Sequence, residues 1–181
     1  MFIFGHIGLT IGILVIGLIL FKKPELISKI DFRIIAVFAI LPDILDKTLG
    51  YLIFPDQLHS GRLFSHTLVF LIFFMIVYFL IIGSQWWVYS FPIITHQLFD
   101  QPWLDPGTWL WPAFGWGFKY SDISPWESWF SALTSNPFII TTELLGIIAL
   151  ITVFVGFKLY TKKRFVNIVK TGKISNPNEK Q

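Results

Sequence analysis

The sequence predicts an all-α, polytopic membrane protein with about five short transmembrane helices and a Trp-rich interfacial loop. Hydrophobic residues make up 54% of the 181 residues and charged residues only 14%, whereas soluble domains have roughly 25% charged residues. The chain also contains 20 Phe and 8 Trp. One soluble core of this length could not enclose that much apolar surface, so a bilayer is the expected solvent.

The first predicted helix is Met1–Phe21, which is apolar apart from His6 and Thr10. At ~1.5 Å per residue it is just long enough to cross a ~30 Å hydrocarbon core. The alternative is a cleaved signal peptide, which would have positive charge before the apolar run and small residues at the cleavage site. Here Lys22 follows the run and Pro24 stands where small residues belong, so a retained helix is favoured.

Four further segments complete the predicted set. Thr67–Gly83 carries no charge, and Phe138–Phe157 is interrupted only by Glu143. Ile34–Phe54 contains a proline and three charged residues, and Trp86–Phe99 is apolar but short. These last two segments are the least typical spans of the five, because the first of them is interrupted and the second is short.

Basic residues gather in two places, after the first apolar segment and after the fifth. The positive-inside bias assigns both clusters to the cytoplasm, so five spans put the N-terminus outside the cell membrane and the C-terminus inside. Residues 55–65 and 101–137 then face outward. We expect residues 1–169 to form one membrane domain and the polar residues 170–181 to form a disordered cytoplasmic tail. The two clusters are Lys22, Lys23, Lys29 and Arg33, and Lys158, Lys162, Lys163, Arg164 and Lys170.

Charge and cysteine content narrow the classes of function. The net charge of +3 is concentrated beside apolar segments, which is typical of membrane topology. We therefore expect membrane lipids as partners and no nucleic acid. The chain has no cysteine, which excludes disulfides, thiolate metal ligands and cysteine nucleophiles.

The loop between the fourth and fifth segments, Gln101–Pro137, is rich in tryptophan. Trp favours the headgroup level of a membrane, where its ring is buried and its N–H is hydrated. We expect this loop to lie on the outer interface or to dip into it. Its six Trp are Trp103, Trp109, Trp111, Trp116, Trp126 and Trp129.

The four histidines of the chain all fall toward the outer side in this topology. His6 begins the first segment and His66 begins the third. His96 lies near the outer end of the fourth segment, and His59 lies in an outer loop. Histidines scattered at random over the membrane depth would rarely converge in this way, so the pattern indicates a shared site.

Carboxylates accompany these histidines. Asp43 and Asp46 are three residues apart, and His96 and Asp100 are four apart, so each pair shares a helix face. An ionised Asp at the centre of a membrane helix costs ~2.5–3.5 kcal/mol on insertion scales. A divalent cation held by imidazole and carboxylate would compensate that cost.

Each of these residues also has an ordinary alternative role. His6 could be an interfacial residue, Asp43 could cap a helix after a proline, and Asp100 could be a solvated loop residue. Arg62 precedes His66 by four residues, and its planar fork of donors suits phosphate or carboxylate. The alternative for Arg62 is snorkelling to the interface. Taken jointly, the residues favour a metal site.

These residues resemble a known family, the membrane-bound metal-dependent hydrolases, also described as LexA-binding, inner-membrane-associated hydrolases. The matching pieces occur in the family's order over roughly residues 1–116. The family usually places a His directly beside the Arg, whereas Ser60 and Gly61 separate His59 from Arg62 here. The matching pieces are His6, Leu41–Asp43 with Asp46, Arg62–Thr67, His96–Asp100 and Thr108–Phe114.

The order of four residues is also similar to part of the ligand set of zinc-dependent phospholipase C enzymes. Asp43, His66, His96 and Asp100 are the matching positions. This similarity implies a metal held by those four side chains, with His6 beside a neighbouring metal.

We therefore expect a membrane-embedded hydrolase that cleaves an ester or phosphoester, in a lipid or lipid-linked molecule, through a metal-activated water. Zinc is the first choice of metal, and manganese or iron would suit the same ligand types. Asp46 or His59 would act as general base or would orient a ligand, and Arg62 would hold the anionic part of the substrate. The expected metal ligands are His6, Asp43, His66, His96 and Asp100, and the expected catalytic residues are Asp46, His59 and Arg62.

Two other classes of function use the same residues. A small divalent-cation transporter or channel would bind the ion transiently, although the sequence shows no internal repeat of the transporter kind. A membrane scaffold would hold a structural metal, closed by four ligands, whereas a catalytic site keeps an open position.

Overall fold

The computed structural model describes residues 1–83 and 86–175, and within these ranges the chain forms helices and no strand. The five predicted segments are all helical, and two of the remaining helices lie in the stretch predicted as the Trp-rich loop. The helices are α1 Ile3–Leu20, α2 Phe32–Thr48, α3 Leu68–Ile82, α4 Trp86–Phe99, α5 Pro106–Trp109, α6 Pro125–Ser135, α7 Pro137–Gly156 and α8 Lys162–Thr171.

Two of the described helices, α1 and α7, are long and apolar enough to cross a membrane. Helix α3 is apolar but has only 15 residues. Helix α2 contains Pro42 and α4 contains Pro92, and both helices carry ionisable residues. The predicted all-α class is confirmed by the helical structure, and the number of spans stays a prediction.

Helices α1 and α7 pack closely and run in the same direction. Successive glycines of α1 face successive small or acidic positions of α7, with Gly5 at Glu143, Gly8 at Gly146 and Gly12 at Ala149. A Cβ atom at Gly8 would lie 2.1 Å from the carbonyl oxygen of Gly146. The absence of side chains therefore allows the two backbones to touch, as in small-residue packing of membrane helices.

Glu143 lies within α7, yet its carboxylate is buried and fully bonded. It accepts hydrogen bonds from the amides of Phe2 (2.8 Å), Phe4 (3.1 Å) and Gly5 (3.0 Å). These amides belong to the first turn of α1, where no intrahelical acceptor exists and the helix dipole favours an anion. Glu143 thereby fixes the start of α1, and His6 stands one residue beyond the last of these amides.

The opposite end of the bundle joins α2 to the C-terminal helix. The Phe32 amide donates to the carbonyl oxygen of Gly172 (2.8 Å), and the Arg33 guanidinium donates to the carbonyl oxygens of Val169 (3.1 Å) and Lys170 (3.0 Å). Arg33 also bonds Asp31, and this hydrogen bond holds the pKa of the Asp31 carboxyl below its usual range. These contacts bring together the regions that hold the two basic clusters.

The expected disordered tail, residues 170–181, differs from the structure in its first half. Lys170 and Thr171 complete α8, and the Ile174 side chain is 1% exposed in the core beside Leu14 and Ile35. Burial of apolar surface is favourable, so an isoleucine that can reach the core is buried there even when its neighbours in sequence are polar. Residues 176–181 lie outside the described part of the chain.

The stretch 101–137 is more ordered than the predicted loop. Helix α6 begins at an N-cap serine with Glu127 at the capping-box spacing. The Ser124 hydroxyl accepts from the Glu127 amide (3.3 Å) and donates to the Glu127 carboxylate (2.8 Å). Trp116 and Trp126 are 78% and 76% exposed. Large apolar rings on an exposed surface suit the interfacial position expected for this stretch.

Candidate metal centre

Four side chains from separate parts of the chain converge in one buried cluster, composed of Asp43, His66, His96 and Asp100. Each offers one ligand atom, and these atoms all lie within 4.8 Å of one another. The His66 Nε2 atom is 3.2 Å from His96 Nε2, 3.5 Å from an Asp100 oxygen and 3.7 Å from an Asp43 oxygen. Imidazole and carboxylate at these separations are a ligand set that divalent metals use.

The cluster lies at one end of the bundle, where α2 and α4 approach their C-terminal ends. Asp43 lies in the last two turns of α2, and His96 lies in the last turn of α4, with Asp100 immediately after it. His66 ends a short 3-10 turn, residues 64–66, just before α3. Pairs four residues apart share a helix face, so His96 and Asp100 point to the same side of α4.

Hydrogen bonds fix the orientation of both imidazole rings. The Nδ1 atom of His96 lies 2.7 Å from the carbonyl oxygen of Ala39, which can only accept, so this nitrogen carries the proton. The Nδ1 atom of His66 lies 2.7 Å from a carboxylate oxygen of Asp46. When each ring is neutral, its free lone pair therefore sits on Nε2 and points into the cluster.

Asp46 supports the cluster from outside it. Its carboxylate is 0% exposed and accepts from the amides of Leu63 (2.5 Å) and Ser65 (3.0 Å) besides contacting His66. Both oxygens are thus engaged, which favours the orienting role over the general-base role that the sequence left open. A carboxylate behind a metal-binding imidazole is a common supporting arrangement.

His6 lies against the same cluster. Its ring is 0% exposed and stacks on His96 with a centroid distance of 4.0 Å. Its Nε2 is 3.3 Å from one Asp100 oxygen and 4.0 Å from one Asp43 oxygen. Neither nitrogen of His6 has a hydrogen-bond partner, and a buried polar atom without a partner is costly.

These observations agree with a bound cation. The Nε2 atoms of His66 and His96 face each other at 3.2 Å, two carboxylates lie beside them, and neither nitrogen of the buried His6 ring makes a hydrogen bond, although its Nε2 lies 3.3 Å from an Asp100 oxygen. When both rings are neutral and no metal is bound, two imidazole lone pairs would face each other beside two carboxylates in a buried space. The residues present therefore fit a divalent metal ion.

Three cationic groups surround the two carboxylates of the cluster. The Arg62 guanidinium donates to an Asp100 carboxylate oxygen and to its carbonyl oxygen, both at 3.1 Å, and its side chain is 40% exposed. The Lys47 ammonium lies 2.8 Å from Asp43. The amino group of Met1 lies 2.6 Å from Asp100. Arg62 and Lys47 are therefore placed to meet an anion that approaches the cluster.

His59 lies elsewhere. Its Nδ1 contacts the carbonyl oxygen of Ser121, and its own carbonyl accepts from the Ser121 amide (3.0 Å). Its ring stacks on Tyr120 with a centroid distance of 5.2 Å. These contacts join residues 120–121 to the loop that carries His59, and they are not contacts with the four clustered side chains.

Gln97 is a positioning residue that the sequence did not indicate. Its amide group donates to the carbonyl oxygens of Ser65 (3.1 Å) and Thr67 (3.2 Å) and accepts from the Trp109 indole (3.3 Å). It thereby holds the turn that carries His66 against α4. A lone Gln beside a histidine has no spacing signature, so only the folded contacts reveal it.

Fold and site together define an all-helical protein with two apolar helices long enough to cross a membrane and a buried histidine–aspartate cluster suited to a metal ion. The YdjM inner membrane protein family matches residues 1–165, and the chain belongs to this family. This membership supports the predicted membrane localisation. No curated protein and no solved structure matches the chain.

Proposed function

We propose that the protein is a membrane-embedded, metal-dependent hydrolase of an ester or phosphoester in a lipid or lipid-linked molecule. The observation that carries the proposal is the convergence of the four ligand atoms within 4.8 Å, with both histidines oriented by partners behind them. Asp43, His66, His96 and Asp100 would bind the metal, and His6 would hold the same ion or a second one.

A bound divalent cation would supply Lewis acidity, lowering the pKa of a coordinated water toward ~7 and polarising the scissile group. The chain leaves a small space beside the ligands, a cavity of about 10 Å³ lined in part by Arg62, His66 and Asp100. About 10–15 Å³ is enough for one water. Arg62, whose side chain is 40% exposed, would hold the anionic part of the substrate outside this water-sized space, since a guanidinium pairs with phosphate through two parallel hydrogen bonds.

Zinc is the proposed metal because histidine with carboxylate is a common catalytic zinc ligand set. Manganese and iron use the same ligand types, so the metal is identified by elemental analysis. The proposed topology has five spans, formed by α1, α2, α3, α4 and α7, with the N-terminus outside and the C-terminus in the cytoplasm. The metal centre would then face the outer side.

Metal analysis of detergent-purified protein tests the ligand set. We expect one or two divalent ions per chain, and we expect His96→Ala and Asp100→Ala each to lose at least one. His59→Ala is the matched control, because this imidazole contacts Ser121 instead of the cluster, and it should keep the metal. Full occupancy in both His96→Ala and Asp100→Ala would exclude the proposed ligands.

A phosphoester and lipid substrate panel, run beside metal uptake into proteoliposomes, separates a hydrolase from a cation transporter. In a hydrolase, Arg62→Ala should keep the metal, because Arg62 is not one of its ligands, while KM rises or turnover is lost. Arg62→Lys should recover only part of the activity, because lysine lacks the planar fork. Metal uptake that survives Arg62→Ala, with no hydrolysis by the intact protein, would reject the enzyme.

A further inference from the structure

A large groove opens beside the metal centre. It has a volume of about 630 Å³, within the ~300–1,000 Å³ typical of ligand sites. It lies between the start of α1, the C-terminal half of α2 and the first turns of α6. Its walls include Ile44, Leu52 and Trp126, and Asp43 of the metal cluster also lines it.

The apolar walls of the groove are exposed. Leu52 and Trp126 are each 76% exposed, Ile3 is 58% exposed and Ile44 is 49% exposed. Exposed Trp beside aliphatic side chains is typical of the level where hydrocarbon meets headgroups. At this level the exposed apolar walls of the groove would contact the acyl chains of the surrounding phospholipids, which are by far the most abundant hydrocarbon there.

Lys47 joins the groove to the metal centre. Its ammonium lies 2.8 Å from the Asp43 carboxylate and 5.6 Å from the ring centroid of Trp129, over the ring face. When Asp43 binds a divalent ion, that carboxylate has less negative charge to offer the ammonium. Lys47 is then available to a phosphate, as a compact positive charge beside the groove.

We propose that this groove binds an acyl chain of an anionic glycerophospholipid, with the phosphate of the lipid beside Lys47 and next to the metal ligand Asp43. This inference rests on the proposed function only where it takes the bound phospholipid to be the substrate of the hydrolase. Lipid binding itself does not depend on hydrolysis, so the two statements can fail separately.

The test is photocrosslinking in nanodiscs with phosphatidylglycerol that carries a diazirine in its acyl chain, followed by peptide mapping. We expect crosslinks in residues 44–52 and 125–129. Thr48→Trp places a large ring at a residue that lines the groove and should lower the crosslink yield by about tenfold, the scale on which a pocket rejects a misfit. Leu45→Trp is the matched control, because Leu45 is exposed on the same helix and is not a lining residue.

A second variant tests the charge. Lys47→Met keeps an unbranched side chain of similar reach and removes the ammonium. It should abolish the preference for phosphatidylglycerol over phosphatidylcholine in competition, whereas Lys47→Arg should keep it. Thermal melting of each variant in detergent confirms that it is folded.

Three results would overturn the groove. Crosslinks spread equally over α3, which also exposes Ile72 and Phe73, would show ordinary lipid contact. A crosslink yield unchanged by Thr48→Trp would also show ordinary lipid contact. Displacement of the probe by undecaprenyl phosphate but not by unlabelled phosphatidylglycerol would assign the groove to isoprenyl lipids. Specific crosslinking without hydrolysis of any phosphoester would support the lipid site and exclude the hydrolase. Hydrolysis of soluble phosphoesters without crosslinking would support the hydrolase and exclude the lipid site.

Discussion

At the scale of single residues, the metal centre depends on groups that hold the ligands as much as on the ligands. His96 is fixed by the Ala39 carbonyl and His66 by Asp46. Asp46 also accepts two backbone amides from the turn before His66, so one carboxylate fixes both the ring and the loop that carries it. The ring orientation is therefore set before any metal binds.

Asp46→Asn tests this arrangement. Asparagine keeps the shape of the side chain but replaces one carboxylate oxygen by an NH₂ group. That group cannot accept a hydrogen bond, so it would face one of the N–H donors that Asp46 now binds, and His66 would be oriented less firmly. We expect metal affinity to fall by roughly 10–100-fold, the usual range for such supporting residues. Chelator competition on purified protein measures the change.

Asp122→Asn is the control for that measurement, because Asp122 is exposed in the stretch between α5 and α6. If Asp46→Asn and Asp122→Asn hold the metal equally well, Asp46 does not orient a metal ligand.

His59 illustrates a limit of sequence reasoning at this scale. Its partner Ser121 is 62 residues away, and no local spacing could separate this role from one in the cluster.

At the scale of elements, the contact between α1 and α7 positions the N-terminal side of the site. Gly8 and Gly146 allow the backbones to touch, and Glu143 receives the first amides of α1. From the sequence, Glu143 was only an interruption of an apolar span. Its role depends on the register of two helices more than 130 residues apart in sequence, which apolar composition does not specify.

Gly8→Leu should disrupt this pair, because the added Cβ would lie 2.1 Å from the Gly146 carbonyl oxygen and backbone cannot move aside cheaply. Overpacking costs typically ~1–3 kcal/mol, so the Tm in detergent should fall by about 2–12 °C. Gly17→Leu is the matched control on the same helix, since a Cβ there meets nothing within 4 Å. Equal Tm values for the two variants would exclude close packing at Gly8.

Local signals explain which elements could be predicted. The five apolar segments are helical where expected, because apolarity over a long window is a property of the sequence itself. The start of α6 also has a signal in the sequence, since Ser124 and Glu127 have the capping-box spacing. The many Trp residues around it favoured an interfacial loop instead of a helix. The burial of Ile174 could not be predicted from the sequence, because its neighbouring residues are polar and the core residues around it are far away in the chain.

At the scale of the whole molecule, the structure separates a basic end from an acidic and histidine-rich end. Helices α1 and α7 run in parallel, so the basic residues that follow each of them lie at the same end. The contact between Phe32 and Gly172 joins these two regions directly. The metal cluster lies at the other end, beside His6 in the first turn of α1.

This polarity predicts the topology, and the lack of cysteine in the chain allows a direct test. Single cysteines at the exposed positions Lys29, Lys119 and Lys173 can be labelled with a membrane-impermeant maleimide in right-side-out vesicles. Because positively charged regions stay in the cytoplasm, Lys119→Cys should label at once, whereas Lys29→Cys and Lys173→Cys should label only after permeabilisation. The opposite pattern would place the metal centre on the cytoplasmic side, and labelling of Lys29→Cys and Lys173→Cys from different sides would contradict the parallel arrangement of α1 and α7.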